Sequence, residues 1–137
     1  MIDHMTFRVS DIAKTRAFYT PTLAALGYAL LVDANYGSNL LGYGTPDASA
    51  PHGHRIDTWF MDGPSPYGNH PATTACHLCW TAPSRAAVNA FYQAALAQGG
   101  RDNGAPGLRA HYHANYYGAF VIDPDGNNIE AVCHAPA

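Results

Sequence analysis

Two pairs of potentially reactive residues recur in this chain at one spacing: His4 with Asp57, and His77 with Glu130, each residue 73 positions from its counterpart. Two imidazoles and two carboxylates make a donor set for a divalent metal. Zn, Ni, Fe or Mn would all suit it, and such a set leaves an open position for water or substrate. The same offset lays Ala17-Phe18-Tyr19 on Ala90-Phe91-Tyr92, Leu23-Ala24 on Leu96-Ala97, and Gly27 on Gly100. A repeat limited to apolar residues would mean only two similar cores. This one also repeats titratable residues in strand-like surroundings, so His4, Asp57, His77 and Glu130 read as two half-sites converging on one ion. A single strand histidine is more often a hydrogen-bonded structural residue than a ligand; it is the coupled recurrence that argues for ligation. Asp57 is one methylene shorter than glutamate, and its reach decides whether the site has three ligands or four.

The elements that must hold these residues follow from the patterning. Residues 2–9 alternate as a strand, with Met5, Phe7 and Val9 on one face and His4, Thr6 and Arg8 on the other. A helix follows, with Ser10 as expected N-cap and Gly27 as its stop; Pro21 predicts a break within it. Strands are expected over 28–33 and 36–43 around an Ala34-Asn35 turn. After a loop over 44–54, a strand over 55–61 puts Asp57, Trp59 and Met61 opposite Ile56, Thr58 and Phe60. Residues 62–69 are rich in Gly, Pro and Ser and read as a connector. The second half repeats the order: a strand over 75–82, then a helix capped by Ser84 with Val88, Phe91, Tyr92, Ala95 and Leu96 on one face. A strand near 106–112 and strands over 117–123 and 127–134 follow, the last two joined by the Asp123-Pro124-Asp125-Gly126 turn. The reading is one α+β domain over 1–137, with module 1 at about 1–62, a linker at about 63–74 and module 2 at about 75–137. On this alternation all four candidate ligands sit away from the helix-packing faces.

Composition narrows the partner. Only 12% of residues are charged, against a usual ~25%, and the formal net charge is −3, so no basic field exists for nucleic acid. A small-molecule substrate is expected instead. No apolar run resembles a signal peptide or a membrane span, and three cysteines cannot form a fully paired disulfide framework, which together predict a cytoplasmic protein. Cys76 and Cys79 form a C-x-x-C, but strand alternation points their thiols to opposite faces and argues against a shared zinc or redox pair.

Further candidates surround the four. Arg8 shares the His4 face and could anchor a substrate anion or pair within the fold. Tyr112, His113, Tyr116 and Tyr117 could form a polar aromatic wall or simply pack. His134 lies on the Glu130 face but about 13 Å along the strand, too far for the same ion. His52, His54, His70 and His111 are expected in loops.

The chain resembles the vicinal oxygen chelate superfamily, which holds glyoxalases, ring-cleaving dioxygenases, fosfomycin-resistance transferases and bleomycin-binding proteins. The resemblance is carried by Ile2-Asp3-His4, Val9-Ser10-Asp11, Ala17-Phe18-Tyr19, Gly27-Tyr28, His77 and the long block from Ala119 through Asp123-Pro124-Asp125-Gly126 to Ile129-Glu130. It implies two tandem βαβββ modules forming a curled mixed-sheet cleft with helices outside, metal ligands at His4, His77 and Glu130, and a homodimer. The lactoylglutathione lyase branch has glutamate where this chain has Asp57.

The expected activity is that of a glyoxalase-like lyase or isomerase. A divalent metal would hold both oxygens of an α-hydroxycarbonyl substrate while Glu130, or else Asp57, removes the proton between them to give an enediolate. One alternative is a ring-cleaving dioxygenase with His4, His77 and Glu130 on Fe(II) and Asp57 outside the metal's ligands. Another is a non-catalytic protein that binds a small molecule such as an antibiotic; relatives of that kind generally lack the metal ligands.

Overall fold

Each half of the chain folds as strand, helix and three strands, and the computed structural model describes residues 2–64, 68 and 71–136. Module 1 comprises β1 (Met5–Arg8), α1 (Ile12–Ala24), β2 (Ala29–Asn35), β3 (Asn39–Pro46) and β4 (His54–Met61). Module 2 comprises β5 (His77–Thr81), α2 (Arg85–Ala97), β6 (Arg101–Leu108), β7 (Tyr117–Ile122) and β8 (Asn128–Cys133). The sheets have matching orders, β1-β4-β3-β2 and β5-β8-β7-β6, with the first strand of each module parallel to the last and the remaining neighbours antiparallel. The fold is thus α+β in two βαβββ modules, as expected.

The helices cover one side of both sheets and bury a single core between them. Phe18, Tyr19 and Leu23 of α1 meet Val88, Phe91 and Ala95 of α2 above Leu41, Tyr43 and Phe60 of one sheet and Val121, Ile129 and Ala131 of the other. These side chains are essentially inaccessible to water, and truncating a Phe in such a position costs roughly 3–5 kcal/mol. Tyr19 ties the modules together. Its ring stacks 4.3 Å from Phe60 and 6.2 Å from Trp80, and its hydroxyl donates to Asp123 at 2.6 Å. Trp80 Nε1 then donates across to Thr58 Oγ1 at 3.3 Å, which brings β5 against the β1-β4 edge.

Local differences from the sequence reading have physical causes. Asp11, not Ser10, caps α1, its carboxylate accepting from Lys14 N at 3.0 Å. Ser10 N instead reaches Asp125 in the β7-β8 turn. Pro21 does not break the helix, which runs on to Ala24. Thr15, Phe18, Tyr19, Thr22 and Leu23 are all buried along one face, and that burial offsets the ~3 kcal/mol a helical proline costs. The β2-β3 turn falls at Tyr36-Gly37-Ser38, where Gly37 takes a φ of 90° that Ala34 would resist. The strand expected near 106–112 lies at Arg101–Leu108, and His54 opens β4 where a loop was expected. Of the expected connector, residues 65–67, 69 and His70 lie outside the described residues.

The register of the parallel pair differs between modules. Met5 lies opposite Thr58, which carries His4 to the level of Asp57. Leu78, the counterpart of Met5, lies opposite Ile129 and not opposite Ala131, the counterpart of Thr58. His77 is therefore level with Asn128, and Glu130 with Cys79. Two matching sequences thus present their histidine and acid in different relations.

Candidate functional site

β1 and β5 border a cleft of about 470 Å³ lined by His4, Tyr28, Arg55, Asp57, His77 and Cys79, among others. Strand alternation explains the grouping: Arg55 and Asp57 share one face of β4, and His77 and Cys79 share one face of β5. His77 also borders a neighbouring cavity of about 550 Å³, whose walls include Tyr112, His113, Tyr116, Phe120, Asn128 and Glu130. One imidazole therefore separates two hollows.

Glu130 is the most enclosed of the four candidates, only 2% exposed. Both its oxygens have partners. His77 Nε2 donates to Oε2 at 3.1 Å and Tyr116 Oη donates to Oε1 at 2.6 Å. Burial, followed by this contact with Glu130, pushes the Tyr116 phenol well above its ordinary range, so it stays a donor at physiological pH. Cys79 lies beside the carboxylate; although the residue is exposed at the cleft, partial desolvation of its thiol first and Glu130 second push that thiol up to about 12. Gly118 makes the room. A Cβ at that position would lie 2.9 Å from Glu130 Oε1.

Asp57 is also engaged within the fold. Tyr28 Oη donates to its Oδ2 at 2.9 Å and Thr58 Oγ1 to its Oδ1 at 2.7 Å. His4 lies half exposed at the cleft, its Nδ1 2.8 Å from Asp3 Oδ1. Among the described residues, no three His, Cys, Asp or Glu side chains converge on a point that could hold a metal ion. His77 and Glu130 are in contact with each other. His4 and Asp57 line the same cleft as His77 but do not join that pair.

The softer candidates divide. Tyr112, His113 and Tyr116 form a ring cluster beside Glu130, with Tyr112 and Tyr116 4.9 Å apart and His113 and Tyr116 5.4 Å apart. His134, which the sequence set too far away to join the ion, hydrogen-bonds His113 at 2.8 Å. Tyr117 turns to α2, donating to Asn89 Oδ1 at 2.9 Å beneath the Arg85 guanidinium. Arg8 donates through Nη2 to the Gly63 carbonyl and does not line the cleft. Arg55, passed over in the sequence, does line it. Its place two residues before Asp57 on one strand was the available signal.

The chain matches the family model of the glyoxalase/bleomycin resistance protein/dioxygenase superfamily over residues 1–131. Among solved structures, it resembles a glyoxalase/bleomycin resistance protein from Albidiferax ferrireducens at 28% identity and a TM-score of 0.70, covering 97% of this chain and 98% of that one. It also shares its fold with glyoxalase I from Zea mays at 18% identity and a TM-score of 0.66, covering 99% of this chain but only 45% of that one. A Burkholderia phytofirmans enzyme of the same family gives a TM-score of 0.64 at 17% identity, with 98% of each chain covered. No functionally curated protein matches the chain. The family match extends through both modules and past the buried Glu130, and the chain belongs to the glyoxalase/bleomycin resistance protein/dioxygenase superfamily.

Proposed function

We propose that this protein is a metal-dependent lyase or isomerase acting on a small oxygen-chelating substrate of the α-hydroxycarbonyl type, with Glu130 as the group that moves the proton. The observation carrying this reading is the Glu130 carboxylate, buried yet held between the His77 imidazole and the Tyr116 hydroxyl at the wall of a cavity. A carboxylate kept from bulk water among hydrogen-bond donors is placed for proton transfer to and from carbon. His77, Glu130, His4 and Asp57 would hold the divalent cation, whose contribution when bound is to acidify the carbon between the two substrate oxygens. The donor set suits Zn, Ni, Fe or Mn. His77 and Glu130 supply one half, and a homodimer in which a second copy brings the His4 and Asp57 half completes it. Tyr112, His113 and Tyr116 would wall the substrate from solvent beside Glu130.

The test is a panel of α-hydroxycarbonyl adducts formed from 2-oxoaldehydes and thiols, offered to protein loaded separately with Zn, Ni, Mn or Fe(II). Exchange of the substrate's α-proton with solvent deuterium is expected in the parent and should vanish in Glu130→Gln. No exchange with any adduct or metal would sink the reading.

One observation favours a second reading. Both Asp57 oxygens are occupied by Tyr28 and Thr58, which suits a three-ligand His4, His77 and Glu130 set on Fe(II) and oxygen chemistry. Iron in protein purified without added metal, together with oxygen consumption on a catechol, would select it.

A further inference from the structure

We infer that Arg109 binds a carboxylate of the substrate, two strands away from Glu130, so that the substrate is an anion and not a neutral oxygen chelator. This rests on the lyase or isomerase reading above and adds to it the substrate's charge and reach. One rung of the second sheet sets the geometry. Gly104 of β6, Phe120 of β7, Glu130 of β8 and Cys79 of β5 are successive cross-strand partners, so their side-chain positions share a face. Phe120 and Glu130 both wall the hollow of about 550 Å³. Gly104 contributes no side chain, and the Arg109 guanidinium takes its place: a Cβ there would lie 3.4 Å from Nη2 and 3.0 Å from Phe120 Cδ2. Gly107 also leaves room, since a Cβ on it would meet Nη1 at 2.9 Å. The guanidinium carbon thus stands 5.5 Å from the Phe120 ring centroid. The Arg109 backbone is fixed as well, its N–H donating to Tyr116 O at 2.7 Å and its carbonyl accepting from Tyr112 N at 2.8 Å.

Charge singles this residue out. A guanidinium stays protonated at any physiological pH and carries five donors. Arg109 Nη2 donates to the Ala105 carbonyl at 2.7 Å, and Nη1 reaches the Leu108 carbonyl only at 3.5 Å. Among the described residues no carboxylate lies within ion-pair distance of it. Arg16, by contrast, pairs with Asp33, and Arg8 lines neither hollow. Arg55 shares a hollow with Asp3 and Asp47, whose charges would repel an incoming anion. Among the described residues Glu130 is the only carboxylate in the wall that Phe120 shares, and it lies at the far end from Arg109.

The planar fork matches a carboxylate, and one guanidinium balances one negative charge. A phosphate dianion would leave a second charge uncompensated in front of Glu130. Neighbouring strands lie ~4.8 Å apart, which sets the guanidinium roughly 10 Å from Glu130. With a hydrogen-bond contact at each end, the reacting carbon and the carboxylate carbon are separated by roughly 5 Å, the span of a thioether sulfur and two methylenes. The Phe120 ring lies under that apolar spacer.

Methylglyoxal adducts of 3-mercaptopropionate and of 3-mercaptopropionamide share a shape and differ by one charge. In the metal-loaded protein, kcat/KM for α-proton exchange is expected to favour the acid adduct by about tenfold. Arg109→Gln should bring that ratio to about one. Gly107→Ala, which crowds Nη1 without removing the charge, should lower the ratio too, and it keeps the test open should the glutamine variant not fold. A residue that only held the β6 carbonyls would change stability and not this ratio. A second arm needs no turnover: ¹⁵N-labelled, metal-free protein is titrated with 3-(methylthio)propionate or with the corresponding amide. The acid is expected to shift the Arg109 Nε signal to saturation and the amide to leave it in place. No shift with the acid, or a ratio unchanged in folded Arg109→Gln, would overturn the proposal. The expected shift without exchange on any adduct or metal would uphold the carboxylate site and defeat the lyase reading. Exchange on both adducts at a parental ratio near one would keep that reading and remove Arg109 from it.

Discussion

Tyr116 Oη lies 2.6 Å from Glu130 Oε1, the shorter of the two hydrogen bonds that hold this buried carboxylate. The tyrosine comes from the segment before β7 and the glutamate from the middle of β8, so a turn residue fixes the rotamer of a strand residue. Tyr116→Phe keeps the ring and deletes the donor. It leaves a buried acceptor half satisfied, a change worth about 1–3 kcal/mol of stability by urea unfolding. Proton exchange from substrate should fall by roughly 10–100-fold as Glu130 gains freedom. A variant with parental stability and turnover would show that the hydroxyl does not position Glu130.

Gly118 gives a second handle on the same carboxylate. An added Cβ would come 2.9 Å from Glu130 Oε1 and 3.2 Å from Tyr116 Cε1, too close for either to stay in place. Gly118→Ala is expected to cost about 1–3 kcal/mol through overpacking. Its activity should drop toward that of Glu130→Gln while its far-UV spectrum stays native. Full activity would mean that Glu130 works from a different rotamer.

Much of this arrangement is legible in the sequence, because alternation assigns strand faces and the repeat pairs the candidates. His77 and Glu130 were matched that way, and they do touch. Asn128 and Cys79 were not legible as neighbours of His77 and Glu130, because their proximity depends on the register between two parallel strands joined through a long crossover. Nor was the connection of Asp57 to Tyr28, which comes from just before β2. β6 was misplaced for another reason. Its sequence Arg-Asp-Asn-Gly-Ala-Pro-Gly-Leu has the composition of a turn, and backbone pairing to β7, irregular at two points, makes it a strand in spite of its side chains.

Alkaline pH should destabilise the fold through Tyr19. Burial first, then the nearby Asp123, raise its phenol well above the ordinary value near 10. The unfolded chain ionises at about 10, so the native state binds the proton more tightly. The stabilising contribution is therefore complete below pH 10 and declines as pH rises beyond it. Tyr28 and Tyr43, raised by burial as well, add to the same slope. Urea midpoints measured between about pH 8 and 11 should fall steeply in the parent and less steeply in Tyr19→Phe, which also loses the bond to Asp123. Identical slopes in the two proteins would remove Tyr19 from the account.

The last prediction concerns how the two halves of the candidate centre meet. His77 and Glu130 touch within one chain, whereas His4 and Asp57 line the cleft without joining them, and in the proposed four-ligand centre a second copy would complete the set. In a twofold dimer each site would take His4 and Asp57 from one protomer and His77 and Glu130 from the other. A His4→Ala chain and a Glu130→Ala chain, each expected to bind divalent metal poorly alone, then complement when mixed. One site of the mixed dimer contains both substitutions and the other contains neither, so metal uptake should recover to about one ion per mixed dimer. Light scattering checks the dimer itself, expected at about twice the 14.6 kDa chain mass. Failure to recover binding in a verified mixed dimer would place all four ligands within one chain, and the cleft would then have to close for His4 and Asp57 to reach His77.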